Sequence, residues 1–483
     1  MKSRNIVSRG LSTFVQTVLI LLLIASFYGM PKGLSPAVAW SCLIVFYYIF
    51  WEAIQKPTII AEGIPTYFTI ELLFYVFYYI LYYYPYQLHV LSLNEIARST
   101  VFTNTFVDES NSAIIAATIG IVAFRIGLKS VQNLPTQITM KPNFNYSNLP
   151  VVTMAGLAGL ISLYQLSGWR SDGEGRYTGT TSGGVLAEGV TTIIMILGMI
   201  TIGTTIANLV QKRKISLPLW ISIGLTLYWT VRILSFGDRN SFLLLAIAAV
   251  GGMLTYRVHA GRNVLFGLIF VGLSFYNVIE IIRMSPDFSL DGISEAYEIS
   301  SSKNAEDSSF NFTTIAARAS FAAVPDVFDY GYGFYKLVGF SGIFPFVRGF
   351  LLDGSQLFTT STDVLTYVVL GPNATWSLGT NTISDIYLDF GIFGVPIAMF
   401  FVGCFVARVR RYATLNPKST TAIIIYLMTL ALMAELPRYS LDFPVRMLAW
   451  AALLLWGYRL VTRKPIPAVE TFVLPVETTS SRG

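Results

Sequence analysis

Twelve long apolar runs divide this chain, and they constrain its fold more than any other feature of the sequence. A helix that crosses a membrane needs about 20 predominantly apolar residues to span roughly 30 Å of hydrocarbon. The sequence therefore predicts an all-α polytopic membrane protein with about 12 transmembrane helices. The segments that meet the length, within the usual boundary error, are residues 11–29, 33–54, 64–85, 112–130, 149–168, 186–210, 216–235, 241–256, 264–281, 382–407, 420–436 and 445–462.

The low charge content excludes the common soluble classes. Only 12% of the residues are charged and 54% are hydrophobic, with a mean hydropathy of +0.60, whereas an average soluble protein has about a quarter charged residues. This composition argues against a cytosolic enzyme, a secreted disulfide scaffold and a nucleic-acid binder. The two cysteines and two histidines form neither a CxxC nor an HExxH pattern, so neither a disulfide framework nor a metal site is predicted.

The basic residues indicate the orientation in the membrane, because short cytoplasmic loops are enriched in Lys and Arg. With the N-terminus inside, the cytoplasmic connections carry 20 of the 33 basic and 4 of the 27 acidic residues, a net +16, and the remainder carries −10. The reverse orientation would place the QKRK and RVRR runs outside. Both termini are therefore expected in the cytoplasm, with the first segment retained as a helix and not cleaved as a signal peptide.

One connection is far longer than the others. Residues 282–381 form an outer loop beyond the usual loop length, which predicts a structured or functional segment. The loop separates about nine spans in residues 1–281 from about three in residues 382–462, and a cytoplasmic tail, residues 463–483, is expected to be disordered. Its half-apolar stretch DYGYGFYKLVGFSGIFPFVRGFLLDG, residues 329–354, predicts an interfacial or re-entrant element packed on the bundle.

Ionisable residues near the hydrocarbon are energetically costly and are candidates for function. In the predicted topology they cluster on the outer side. Several of them are arginines, whose planar guanidinium is suited to bidentate binding of phosphate or diphosphate. The clusters are FGDRNSF at 236–242, Arg283 where the ninth span leaves the membrane, Arg318 and Arg348 in the large loop, and AELPRYSLDFPVRM at 434–447 with Glu435, Arg438, Asp442 and Arg446.

Each cluster also has a purely structural interpretation. The FGDRNSF residues can anchor a helix end at the membrane interface, with Asn240 or Ser241 as the N-cap of the eighth span. The acids and arginines of residues 434–447 have the i,i+3 and i,i+4 spacing of local ion pairs. The tyrosines of FYVFYYILYYYPY, residues 74–86, are typical of an aromatic belt at the membrane interface, and a sugar-stacking platform is the alternative.

The layout and these motifs together resemble a bacterial oligosaccharide repeat-unit polymerase of the O-antigen and capsule type (Wzy-type). The shared layout is about a dozen spans, cytoplasmic termini and one large outer loop. GDRNSFLLLA at 237–246 is similar to the family's Gly-x-Arg that opens a helix. TNTISDIYLDFGIFGVP at 380–396 resembles its stretch before a late span, and LPRYSLDFPVRM at 436–447 its outer turn with two spaced arginines.

The resemblance implies a glycosyltransferase with a GT-C-like bundle that acts at the periplasmic face of the bacterial inner membrane. Such an enzyme moves a growing glycan from its undecaprenyl diphosphate onto the non-reducing end of one lipid-linked repeat unit, without a nucleotide sugar, a metal or another cofactor. The expected partners are undecaprenyl-diphosphate-linked oligosaccharide and membrane lipids, with no nucleic acid, and they can include a polysaccharide chain-length regulator.

The reaction suggests roles for the outer residues. When the bond to the lipid diphosphate breaks, negative charge develops on the leaving oxygens, and prepositioned cations stabilise it. The arginines expected to do this are Arg239, Arg283, Arg318 and Arg438, followed by Arg348 and Arg446. A carboxylate can take the proton of the acceptor hydroxyl, and the candidates, in order, are Asp385, Glu435 and Asp238.

Other activities stay open from the sequence. An O-antigen ligase often has a loop histidine, and residues 282–381 contain none. A lipid-linked oligosaccharide flippase, as a transporter, often has repeated halves and polar sites near the membrane midplane, whereas no repeat is visible here and the charge lies on the outer side. An acyltransferase would need a His or Ser nucleophile on that side, and no strong candidate is present. The sequence therefore favours the polymerase.

Overall fold

The computed structural model of the protein is almost entirely helical. It describes residues 2–55, 57–61, 64–93, 106–131, 146–169, 184–235, 238–259, 261–284, 309–352, 357–374 and 377–462, together with residues 291, 294, 295 and 298. Within this part of the chain the strand content is one antiparallel hairpin, formed by β1 (Thr58–Ala61) and β2 (Ile64–Thr66).

The helices before the predicted loop account for the N-terminal part of the bundle. They are α1 (Lys2–Gly29), α2 (Pro36–Gln55), α3 (Ile70–Tyr82), α4 (Tyr84–Val90), α5 (Ser110–Val131), α6 (Leu149–Leu166), α7 (Gly184–Val210), α8 (Leu217–Ser235), α9 (Arg239–Tyr256) and α10 (Arg262–Met284).

The remaining helices comprise four short ones and three long ones. The short ones are α11 (Ser309–Ala323), α12 (Phe334–Ser341), α13 (Pro345–Leu351) and α14 (Ser361–Leu370). The long ones are α15 (Thr382–Leu415), α16 (Thr420–Glu435) and α17 (Asp442–Thr462), and a 3-10 turn, Leu436–Arg438, follows α16.

Each predicted apolar segment falls on a helix, but the start of the third was wrong. Residues 64–66 belong to strand β2, and α3 begins only at Ile70. There the Thr69 hydroxyl caps the helix by accepting a hydrogen bond from the Leu72 N–H at 3.2 Å. Hydropathy does not separate the two elements, because strand and helix are both apolar here.

Seven helices among the described residues are long and apolar enough to cross a membrane. Shorter apolar helices cover four further predicted segments, and α17 is in neither group. The structure therefore agrees with an all-α membrane protein, and the count of 12 spans stays a prediction. The seven are Pro36–Gln55, Val107–Val131, Leu149–Leu166, Leu186–Val210, Leu217–Leu234, Thr382–Leu415 and Thr420–Arg438.

Helices α5 and α15 cross with their backbones in direct contact. A Cβ atom on Gly127 would lie 2.1 Å from the Phe400 carbonyl oxygen, and one on Gly403 would lie 2.1 Å from that of Phe124. Glycine allows this close approach, which is how helices in membranes gain packing contacts. Helices α1, α2 and α11 also pack on α5, so the α5–α15 pair lies at the centre of this half of the molecule.

Most of the tyrosine-rich segment lies in the core, where neither the aromatic belt nor the sugar-stacking platform describes it, whereas Tyr84 is 44% exposed. Tyr75, Tyr78, Tyr82 and Tyr83 are each at most 3% exposed. Buried tyrosine hydroxyls need partners, and Tyr78 donates to the Ala117 carbonyl at 2.7 Å while Tyr82 donates to that of Pro437 at 2.9 Å. The second bond ties α3 to the turn after α16.

Helices α11 to α14 of the predicted outer loop pack on one end of the bundle. Thr314 of α11 donates to the Leu81 carbonyl at 3.4 Å, and the Tyr387 hydroxyl of α15 donates to the Val324 carbonyl at 3.0 Å. We call this end, which also carries the 3-10 turn Leu436–Arg438, the loop end.

Candidate functional site

An apolar cleft of about 290 Å³ lies between α3, α9, α10 and α16. Its walls include Val76, Phe77, Phe242 and Ile247, and its charged lining residues are Glu435 and Arg438. We call it the apolar cleft. Because Glu435 and Arg438 are three positions apart in the chain, the charge is confined to one end of the cleft, the loop end.

The turn that carries Arg438 is held in place by the neighbouring helices. Pro437 lacks an N–H and ends the regular hydrogen bonding of α16, so the chain continues as the 3-10 turn. The Thr382 hydroxyl bonds to the carbonyls of Leu436 and Tyr439. Arg438 Nη1 then donates to Asn240 Oδ1 at 2.8 Å, which connects the turn to the first turn of α9.

A second cavity, of about 260 Å³, lies beside the first and has a different lining. We call it the polar pocket. It is formed at the loop end by α6, α7, α8, α9 and α17, and it combines aromatic, aliphatic and methionine side chains with carboxylates and hydroxyls. Its residues include Tyr164, Trp229, Glu188, Asp238, Thr191, Thr192 and Ser241.

The first turns of α9 separate the two cavities. Phe242 and Ile247 face the apolar cleft, whereas Asp238 and Ser241 line the polar pocket. Asp238 is the N-cap of α9, since its carboxylate accepts the Ser241 N–H at 3.2 Å and the Ser241 hydroxyl at 2.6 Å. The expectation that Asn240 or Ser241 would be the cap was therefore wrong, because the helix begins one residue after Asp238.

A buried ion cluster lies next to the turn on its other side. Lys336 Nζ is 2.5 Å from Asp385 Oδ1 and 3.2 Å from Asp389 Oδ2. Asp385 also accepts hydrogen bonds from the Ser361 hydroxyl at 2.6 Å and from the Leu441 N–H at 2.7 Å. All three charged residues are at most 5% exposed. We call this group the Lys336 cluster, and it joins α12, α14 and α15 to the chain before α17.

Asp389 explains the glycine pattern of the segment DYGYGFYK. Its carboxylate accepts the N–H groups of Gly333, Tyr335 and Lys336 at 2.9–3.1 Å and so binds the N-terminus of α12. A Cβ on Gly331 would lie 2.3 Å from Asp389 Oδ1, and Gly333 has a φ of +91°. Both positions require glycine, one for the close approach and the other for the left-handed backbone.

The charges settle the state of Lys336. Burial lowers the pKa of its ammonium group, but Asp385 and Asp389 raise it by more, so the pKa lies above its ordinary value. Lys336 is therefore charged throughout the neutral range, and it is compensated by two carboxylates that water does not reach.

The structure places the other predicted arginines in different surroundings. Arg318 of α11 is fully buried in the core, and burial lowers the pKa of its guanidinium. Arg446 Nη2 lies 3.1 Å from Glu188 Oε1 at the polar pocket, so it pairs across to α7. Arg239, Arg283 and Arg348 lie in α9, α10 and α13, and their side chains are outside the described residues.

Four residues of the loop end were missed by the sequence reasoning. Lys336 lies in the half-apolar stretch 329–354 and Asp389 in the stretch 380–396, where Asp385 was the acid singled out, although a second acid beside Phe-Gly and a paired Gly-x-Gly were visible signals. Glu188 and Trp229 lie within predicted spans and carry no local pattern. No group of three or more His, Cys, Asp or Glu in the described part of the chain is placed to hold a metal ion.

A third cavity, of about 180 Å³, lies at the opposite end of the bundle. Lys129 is 3.0 Å from Glu52, and Arg125 also pairs with Glu52. Arg410 pairs with Glu71 in the same cavity lining. This end carries basic residues that the sequence assigns to the cytoplasm, and it lies at the end of α3 opposite the charged end of the apolar cleft.

Comparison with known proteins identifies the family. The sequence model of the family described as O-antigen polysaccharide polymerase Wzy matches residues 185–463. That range is more than half of the chain and includes both the apolar cleft's charged end and most of the polar pocket. No curated protein and no solved structure matches the chain significantly. Together with the seven apolar helices, the match shows that this chain is a membrane protein of the O-antigen polysaccharide polymerase Wzy family.

Proposed function

We propose that the protein is a glycosyltransferase that polymerises undecaprenyl-diphosphate-linked oligosaccharide repeat units into surface polysaccharide, either O-antigen or capsule, without a metal. The family supports the polymerisation of repeat units in general. The observation that carries the finer proposal is the apolar cleft, which has a long uncharged wall and a charged end formed by Glu435 and Arg438.

The cleft suits a substrate with a hydrocarbon chain and an anionic head. A polyprenyl chain lies against Val76, Phe77, Phe242 and Ile247. Within a bilayer the lipid tails are as apolar as these side chains, so the gain is one of packing and not of hydrophobic burial. The chain is consequently held weakly, which suits a substrate that must enter and leave laterally in every cycle.

Arg438 binds the diphosphate in this proposal. A guanidinium forms short, charge-assisted hydrogen bonds to phosphate oxygens, and the bond from Arg438 Nη1 to Asn240 holds it at the mouth of the cleft. As the glycosidic bond breaks, the leaving diphosphate gains negative charge, and the fixed cation stabilises the transition state. Arg239, one residue before Asn240 in the chain, and Arg283 are the next candidates for this role.

Glu435 takes the proton of the acceptor. The acceptor hydroxyl oxygen forms the new bond to the anomeric carbon, the bond from that carbon to the diphosphate breaks, and the diphosphate keeps its electron pair. The hydroxyl proton passes to the Glu435 carboxylate. The sequence ranks Asp385 first and Asp238 third, but Asp385 already binds Lys336, Ser361 and Leu441, and Asp238 caps α9. Glu435 is favoured because it lines the apolar cleft together with Arg438.

The remaining predicted arginines have supporting roles here. Arg446 balances Glu188 at the polar pocket, Arg318 lies in the core of α11, and Arg348 lies in α13 near the same end. We place the loop end at the periplasmic face of the inner membrane and both termini in the cytoplasm. The basic cavity at the opposite end supports this orientation, since Lys and Arg favour the cytoplasmic side.

The test is substitution of Arg438 in a strain that lacks the chromosomal gene. We expect Arg438→Ala to lower polymerisation about 100- to 1000-fold, so that the surface glycan runs on a gel as lipid core with a single repeat. Arg438→Lys should restore part of the ladder, because it keeps the charge but loses the bidentate fork. Arg257→Ala is the matched control, since Arg257 is exposed at the opposite end and donates to the Leu209 carbonyl at 3.3 Å.

The gel also separates the alternatives. A normal ladder with Arg438→Ala, at wild-type protein levels, would remove Arg438 from the mechanism. Loss of every capped species in the strain without the gene would favour the O-antigen ligase or the lipid-linked oligosaccharide flippase over the polymerase.

A further inference from the structure

The polar pocket contains a buried donor that the protein itself leaves unused. Trp229 of α8 is 2% exposed, and its Nε1–H has no hydrogen-bond partner among the described residues. Buried polar groups are nearly always paired with protein, water or a ligand. Because Trp229 lines the polar pocket, a ligand in the pocket that carries an acceptor could accept the hydrogen bond from its Nε1–H.

The rest of the lining shows what kind of acceptor fits. The Tyr164 ring packs edge-on against Trp229, with centroids 5.2 Å apart and an interplanar angle of 87°, so the wall is aromatic and fixed. Glu188 and Asp238 supply carboxylate acceptors, and the Thr191, Thr192 and Ser241 side chains supply hydroxyls. A ligand here must therefore present both donors and acceptors together with apolar C–H groups.

These requirements exclude the other components of the substrate. A lipid chain has no acceptor for the buried Trp229 Nε1–H and would leave it without a partner. A diphosphate would meet two carboxylates, and the nearby cation, Arg446, already pairs with Glu188. A sugar ring satisfies all three conditions, since its hydroxyls donate and accept while its C–H face lies against an aromatic ring. The volume of about 260 Å³ is also well above the roughly 30 Å³ of a water molecule.

We propose that the polar pocket is a saccharide subsite that binds one sugar ring of the repeat unit, with Trp229 Nε1 donating to a sugar oxygen and Glu188 accepting from a sugar hydroxyl. The assignment rests on the proposed function for the identity of the saccharide. The first turns of α9 lie between this subsite and the apolar cleft, so lipid and sugar bind on opposite sides of Asn240.

Binding of a soluble saccharide tests the subsite without turnover. The probe is the oligosaccharide released by mild acid from the lipid-linked repeat unit of the strain that lacks the gene, titrated calorimetrically into the full chain in lipid nanodiscs. We expect Trp229→Phe, which keeps the ring and removes the donor, to raise the Kd about two- to tenfold. Trp220→Phe is the matched control, because Trp220 lies on the same helix, is 57% exposed and should leave the Kd unchanged.

Glu188→Gln provides a second variant at a site that tolerates change, because the Glu188 side chain is 62% exposed. It should also raise the Kd while the melting temperature stays that of the wild type. The assignment is overturned if the wild type shows no saturable binding, or if neither variant changes the Kd. If the saccharide binds in a Trp229-dependent way but the strain without the gene loses every capped species, the proposed function fails and the subsite stands.

Discussion

The loop end holds two adjacent groups of charged residues that differ in whether they line a cavity. In the Lys336 cluster each charge has its partners inside the protein and water is excluded. Glu435 and Arg438 instead line the apolar cleft, and Asp238 lines the polar pocket, although Glu435 is itself only 2% exposed. Both groups contact the chain between Leu436 and Leu441, through Arg438 on one side and the Leu441 N–H on the other.

In a membrane bundle, charged residues that hold the fold together can be distinguished from those that act on a substrate by whether they line a cavity. An ion pair that is sealed on all sides fixes the position of an element, and removing one member leaves the other uncompensated. A charged side chain that lines a cavity can also be reached by a substrate in that cavity, in addition to its contacts within the protein. The first group should therefore control stability, and the second should control turnover.

Lys336→Met is the substitution with the largest expected effect on folding stability. It leaves Asp385 and Asp389 buried without their cation, which should cost about 3–5 kcal/mol of folding free energy. Thermal unfolding in detergent measures it, with Lys129→Met as control, since Lys129 pairs with a half-exposed Glu52. Because the raised pKa keeps Lys336 charged in the folded state, its contribution is lost only when the pH rises through that pKa. The difference from wild type should thus be constant across the neutral range.

A comparison of Asp385→Asn with Asp389→Asn tests whether Asp385 has the same structural role as the rest of the Lys336 cluster. Both carboxylates bind Lys336, and Asp389 has no place in the proposed chemistry. We expect both variants to lose about 2–3 kcal/mol of stability, as for hydrogen bonds to charged groups, and to keep similar polymerisation per folded molecule. A specific loss of polymer with Asp385→Asn alone, at an unchanged melting temperature, would show that Asp385 is the base and break the contrast.

Glu435→Gln tests the second group and has the smallest expected effect on folding. We expect a fall of about 100-fold in polymerisation, at the lower end of general-base effects, with a melting temperature within a few degrees of the wild type. Glu52→Gln at the opposite end is the matched control. The measurement is single-turnover extension of purified lipid-linked repeat. Full activity of Glu435→Gln would return Asp238 to consideration.

The fold was largely predictable from hydropathy, because a membrane-spanning helix leaves a long apolar record in the sequence. The exceptions are segments whose hydropathy pattern fits two different structures equally well. Residues 64–66 are apolar whether in a strand or a helix, and the tyrosines of α3 are amphipathic whether at an interface or in the core. Only contacts distant in sequence, such as Tyr82 with Pro437, distinguish them.

The site was less predictable for a related reason. Spacing identified Asp238, Glu435 and Arg438 as residues at one end of the bundle, and the structure places them on two adjoining cavities, while their roles stay predictions. Lys336 and Asp389 are 53 positions apart, and no local pattern records a pair at that separation. Trp229 and Glu188 become notable only when α6, α7, α8, α9 and α17 surround them.

The glycine contact between α5 and α15 limits how this protein can be recombined. Gly127 and Cys404, whose thiol contacts the Gly127 carbonyl, are 277 positions apart, yet each helix is shaped to the bare backbone of the other. A chimera with a breakpoint between α5 and α15 would pack Gly127 of one parent against a helix from another parent, whose side chains need not leave room for this close contact. Exchanges that aim to change the glycan should therefore move α6 to α9 with α17 and leave α5 and α15 from one parent.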